Sequence, residues 1–166
     1  MTRISKNTTK ILFICMGNIC RSPSAEAVMQ SIVKQQGLEQ EIVCDSAGTF
    51  DYHRGKPADA RMQKHARLRG YELISISRPF EDEDFELFDW IITMDEDNYQ
   101  QIKWLDQSNN YTDKIRHMTD FAALLKFLMY LILIMEEIMV LKMCWIFSKI
   151  LVKVCWNLSR IKNHEC

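Results

Sequence analysis

Little in this chain stands in surplus, and the shortages narrow what it can be. Its 166 residues carry 21 Lys and Arg against 22 Asp and Glu, a formal net charge of −1. No excess of either sign argues for a nucleic acid partner or an anionic membrane surface. The uninterrupted apolar run from Phe127 to Met135 falls well short of the ~20 residues a bilayer span requires, so no membrane association is expected. Met1 to Lys10 is polar and shows no secretory signal. Only 3 prolines and 5 glycines occur, and no repeat, low-complexity tract or linker precedes residue 126. His53, His65, His117 and His164 are scattered, with no zinc-like spacing, so neither metal nor cofactor is expected. Six cysteines without a disulfide-scaffold pattern point to a reducing, cytoplasmic setting.

What the chain does have is concentrated in Lys10-Ile-Leu-Phe-Ile-Cys-Met-Gly-Asn-Ile-Cys-Arg-Ser-Pro-Ser24. Ile11 to Ile14 reads as a buried strand, and Pro23 followed by Ala25-Glu26-Ala27-Val28 reads as the start of a helix. The connecting loop ends at a helix N-terminus, where backbone N–H groups and the helix dipole both favour an anion. Gly17 and Asn18 tolerate the backbone angles such a nest requires. A cysteine held there beside an arginine loses its proton more readily than a free one, which makes Cys15 a candidate nucleophile. Arg21 can grip two phosphate oxygens through its planar fork, and the Ser22 hydroxyl can donate to the thiolate. Met16, Gly17, Asn18, Ile19, Cys20, Arg21 and Ser22 are therefore the expected phosphate-binding residues.

The rest of the chain, up to residue 105, alternates strand and helix: strand 11–14, helix 23–36, strand 41–44, helix 58–70, strand 73–76, helix 83–87, strand 90–94 and helix 96–105. Short polar connections between such elements imply a single α/β domain on a parallel sheet. Ligands in these sheets bind beyond the carboxyl ends of the strands, where Cys15 sits. The acidic run Glu81-Asp-Glu-Asp84 reads as a solvated helix start.

Several segments together resemble the low molecular weight protein tyrosine phosphatases. Besides the loop, they are Asp45-Ser-Ala-Gly-Thr49, Gly55-Lys-Pro-Ala-Asp-Ala-Arg61, Phe85-Glu-Leu-Phe-Asp-Trp-Ile-Ile-Thr-Met-Asp95 and Met118-Thr-Asp-Phe121. The resemblance covers residues 9–125 and implies one doubly wound parallel sheet of about four strands, with helices on both faces. It also implies hydrolysis of protein phosphotyrosine, or of small aryl phosphates, through a phosphocysteine. Tyr52 falls where the family carries an aromatic wall for the substrate ring, with Phe50 nearby. By the same resemblance Asn18 tethers the loop, Asp95 gives structural support, and Cys20 is the redox partner of Cys15.

Residues 126–166 depart from the family. An Asp-Pro-Tyr-Tyr-Gly segment, whose aspartate is the general acid, follows the Thr-Asp-Phe region in the family, yet 126–166 contain no proline or glycine. No residue of this chain can be assigned as general acid. Read one base out of register from Met129, the codons can restore Pro-Asp-Pro-Tyr-Tyr-Gly-Gly and a closing helix. In that register Met139–Val140 must give glycine and Trp145–Ile146 must give aspartate. A one-base displacement between about Asp120 and Met129 is the expectation. Three functions follow: an active tyrosine phosphatase, a catalytically impaired phosphate-binding protein, or an arsenate reductase. The last needs further resolving thiols, and Cys44, Cys144, Cys155 and Cys166 form no pair near residues 80–100.

Overall fold

The computed structural model describes residues 8–122. Strand β1 (Thr9–Cys15) leads into helix α1 (Arg21–Gln36), then strand β2 (Ile42–Gly48) and helix α2 (Ala60–Arg67). Helix α3 (Asp84–Leu87), strand β3 (Trp90–Thr93), helix α4 (Glu96–Leu105), strand β4 (Ile115–His117) and a 3-10 turn at Met118–Ala122 follow. The four strands form one sheet in the order β2-β1-β3-β4, and every pairing is parallel. From β1 the chain moves outward to β2 and then crosses back to β3, so the winding reverses at β1. The crevice at that reversal is where doubly wound sheets bind their ligands.

Alternation along β1 builds two cores. Ile11 and Phe13 pack against Val28, Met29 and Val33 of α1. Leu12 and Ile14 face the other way, against Phe85, Phe88 and Ile102. All four side chains are at most 1% exposed, and each contributes ~1.5–3 kcal/mol by leaving water. Truncating Phe13 to alanine costs ~3–5 kcal/mol, because a close-packed core collapses only partly into the cavity left behind. Helix α1 stops at Gly37, whose φ of 70° is left-handed and lets its N–H close the last turn on Lys34.

The elements that position the loop lie where the sequence puts them. Helix α1 starts two residues early, at Arg21, and β2 runs on through Asp45-Ser-Ala to Gly48. Helix α2 is shorter than expected: the Asp59 carboxylate caps its start, accepting from the Arg61 and Met62 amides, and after Arg67 the chain passes into a turn at 68–70, where Gly70 has a left-handed φ of 79°. The expected strand 73–76 does not form. Leu73 is buried, but Ile74 and Ile76 are exposed, and the segment makes only an isolated bridge between Ile76 and Pro57. Strand β4 takes its place as the fourth strand. The acidic run is not wholly solvated either: Asp84 is 4% exposed and pairs with Arg78 at 2.8 Å. The departure at 126–166, the missing general acid and the frame displacement all lie outside the described residues. Among the described residues no helix is long and apolar enough to cross a membrane.

Candidate active site

Cys15 is the last residue of β1, buried at 2% exposure, and pairs across the sheet with Gly48. On the other side the Met94 amide donates to the Ile14 carbonyl at 3.0 Å, which brings Asp95 to the same level. Between Cys15 and α1 the loop 16–20 folds back over the sulfur. Its carbonyls are used by the protein: Cys15 takes the Thr49 amide, Met16 the Phe50 amide and Ile19 the Asp59 amide. Gly17 takes the Ser77 hydroxyl at 3.1 Å. Among the described residues none from Met16 to Cys20 donates a backbone hydrogen bond, the polarity of an anion nest.

Asn18 holds this shape. Its φ of 50° is left-handed, and its side chain is anchored at three points. The amide nitrogen donates to Ser22 at 2.9 Å and to Ser46 at 2.8 Å, while its oxygen accepts from the Arg78 amide at 3.0 Å. Ser22 Oγ lies 3.1 Å from Cys15 Sγ and 3.3 Å from the Ala47 carbonyl. Arg78 is itself clamped between Asp45 and Asp84. Burial lowers its pKa, but the hydrogen bonds it donates to the two carboxylates outweigh that and hold it above the ordinary arginine value.

Arg21 opens α1 and forms an ion pair with Asp95, whose other oxygen caps α4 by accepting from the Asn98 amide at 2.7 Å. Partial burial raises the Asp95 pKa, yet the Arg21 bond and the amides beside it hold the carboxyl below its usual range. Cys20 is half-buried, and burial, then Asp59, then Cys15 push its thiol up. Tyr52 is 77% exposed and stacks on Phe50 at 5.7 Å between ring centroids. Cys44 is buried in the α1-side core, away from the loop.

The family model for low molecular weight phosphotyrosine protein phosphatase matches residues 10–126. The chain belongs to this family. It is 46% identical over 113 residues to a Synechocystis protein named for the family, a match spanning 68% of this chain and 72% of that one. It is 41% identical over 95 residues to the low molecular weight phosphotyrosine protein phosphatase of Homo sapiens, spanning 57% of this chain and 60% of that one. The fold superposes on a protein tyrosine phosphatase from Entamoeba histolytica with a TM-score of 0.74 at 36% identity, covering 96% of this chain and all of that one.

Of the residues picked from sequence, the structure of this phosphatase-family chain brings Cys15, Asn18, Ser22 and the loop amides into one cluster. Arg21 and Asp95 stand paired beside it. Tyr52 stands two residues beyond Phe50, whose amide is tied to Met16. Sequence reasoning missed His53, whose ring packs so close to Gly17 that a Cβ there would fall 2.9 Å from Cδ2. It also missed the supports Glu26, Ser46, Ser77 and Arg78. Glu26 carried a usable signal, a charge placed among the apolar positions of α1. Among the described residues no group of three or more His, Cys, Asp or Glu side chains could hold a metal ion.

Proposed function

We propose that this chain cleaves phosphate monoesters of tyrosine, and of small phenols, through a phosphocysteine at Cys15. The observation that carries this is the buried sulfur, 3.1 Å from Ser22 Oγ, beside a loop whose amides have no acceptor among the described residues. In the first step the thiolate attacks phosphorus in line, the S–P bond forms and the ester P–O bond breaks to the phenolate. The loop amides and the guanidinium of Arg21, turned from Asp95, hold the three non-bridging oxygens. Water then attacks phosphorus, the S–P bond breaks, and the Ser22 hydroxyl eases the departure of the thiolate. Depth supports aryl substrates: a phosphate carried on a phenyl ring reaches a floor that is 2% exposed, and Phe50 and Tyr52 offer a ring to stack on.

Leaving-group chemistry favours a second, narrower reading. The phenol of tyrosine has a pKa near ~10, and protonating it as it leaves is worth ~10²–10⁴-fold. With no general acid assignable in this chain, it binds phosphate and releases acidic phenols, but turns over phosphotyrosine slowly. The cysteine arrangement gives no support to arsenate reduction. The test is acid-quenched mass spectrometry after mixing with a series of aryl phosphates. Phosphate appears on Cys15, the rate climbs steeply as the leaving phenol becomes more acidic, and Cys15→Ser abolishes labelling. An unmodified Cys15 refutes the mechanism; equal rates for all phenols refute the missing acid.

A further inference from the structure

One buried ionisable side chain has no place in that mechanism. Glu26 lies on the first turns of α1 and is 6% exposed, on a face otherwise given to Ala25, Val28 and Met29. Burying a carboxylate is costly unless it is paired. Among the described residues no lysine, arginine or histidine nitrogen forms an ion pair with it. What it does have is a hydrogen-bond chain. Ser46 donates to Glu26 Oε2 at 2.6 Å, a length typical of a charge-assisted bond. Gln30 donates to Oε1 at 2.9 Å.

The chain has a direction because a hydroxyl has one proton. With the Ser46 proton committed to Glu26, its oxygen can only accept, and Asn18 donates to it at 2.8 Å. The second N–H of Asn18 then goes to Ser22 at 2.9 Å. Ser22 accepts that bond and has one proton of its own, with two acceptors in reach, the Cys15 sulfur at 3.1 Å and the Ala47 carbonyl at 3.3 Å; a thiolate, able only to accept, draws it to the sulfur. Reversing Ser46 would set its proton against the Asn18 amide and loosen every later link.

We propose that Glu26 is a positioning residue for the reaction: it orients the hydrogen-bond chain Ser46–Asn18–Ser22 so that the Ser22 proton is delivered to the Cys15 sulfur. This rests on Cys15 being the nucleophile. Three elements face the carboxyl: β2 with Asp45 and Ser46, the segment at Ser75, and α1 itself with Gln30. Burial, reinforced by Asp45, raises its pKa, while the Ser46, Ser75 and Gln30 bonds oppose the rise. Asp45 is in turn paired with Arg78.

Alkylation of the full chain by iodoacetamide, mapped by peptide mass across a range of pH, reads the sulfur directly. Glu26→Leu slows modification of Cys15 about ten-fold near pH ~6 and moves the profile to higher pH. Ser46→Ala, which cuts the link and leaves the carboxyl in place, reproduces that profile and carries the test should Glu26→Leu fail to fold. Glu26→Gln keeps an acceptor for Ser46 and stays within about three-fold of the parent. Adding Ser22→Ala to Glu26→Leu produces no further slowing, because both act on one bond. Parent-like profiles for Glu26→Leu and Ser46→Ala, or multiplying effects in the double variant, overturn the role of Glu26. Failure of inorganic phosphate to protect Cys15 in the parent overturns the nucleophile assignment instead.

Discussion

Gly48→Ala is the sharpest test of how the loop is held. A Cβ at this position would lie 2.9 Å from the Met16 carbonyl oxygen, 3.0 Å from that of Phe50 and 3.2 Å from the Asn18 amide nitrogen. All three are backbone atoms, and two belong to the loop. Gly48 cannot retreat: its amide donates to the Arg78 carbonyl at 2.9 Å, and its own carbonyl takes the Phe80 amide at 2.7 Å. The methyl therefore wedges the bond between the Phe50 amide and the Met16 carbonyl, 3.0 Å in the parent. Overpacking of this kind costs ~1–3 kcal/mol, and one weakened hydrogen bond adds ~1 kcal/mol. If half of that falls on the loop, phosphate affinity drops about ten-fold. Titration calorimetry with inorganic phosphate measures the loss, and thermal melting measures the cost in stability. Gly37→Ala is the control, since φ there is +70° but nothing lies within 4 Å of a new Cβ. It costs ~1–2 kcal/mol through the backbone alone and leaves phosphate binding unchanged. Parent-like phosphate affinity in Gly48→Ala, or an equal loss in Gly37→Ala, refutes the reasoning.

Two further outcomes are expected. The Asp95 carboxyl is held below its ordinary pKa in the folded chain, so its stabilising effect is present above the unfolded value of ~3.9 and is lost as pH falls through the folded value. In urea unfolding the advantage of the parent over Asp95→Asn is steady at neutral pH and shrinks as pH falls below ~4; an advantage that does not shrink there contradicts it. Mild peroxide takes the Cys15 thiolate to a sulfenic acid while the peroxide is reduced to water, and the Cys20 thiol then attacks that sulfur, expelling water and forming a disulfide. Mass spectrometry finds the Cys15–Cys20 link, reversed by thiol; overoxidised Cys15 without the link excludes the protective role.

The loop and the core were legible because their signals are local and redundant. Ile11 to Ile14 needs only an apolar run, and both faces of β1 are filled. Asp95 is legible as structural support through the resemblance alone, and the structure gives that support its form, a cap on α4. The strand at 73–76 was misread because its residues alternate like a strand, although the segment joins neither edge of the sheet: its one bridge, from Ile76, goes to Pro57 and not to β2 or β4. Strand β4 spans three residues, with Ile115 alone buried, too short to carry a period. Asp45 and Ser46 lie beyond the expected strand 41–44. They sit in a strand because Arg78 and Glu26, far away in the chain, supply their partners. Long-range polar pairing of this kind leaves no periodic trace, which is why Ser46 and Arg78 stayed hidden while Cys15 and Arg21 did not.

The brace on Asn18 has a consequence for biosynthesis. Its contacts reach Ser46, 28 residues on, and Arg78, 60 residues on. A nascent polypeptide emerging from the ribosome exposes the thiol and the guanidinium before either strut has cleared the exit tunnel. Until Arg78 has cleared the exit tunnel, the cradle has no fixed shape, and the youngest part of the fold decides when the oldest part begins to grip an anion.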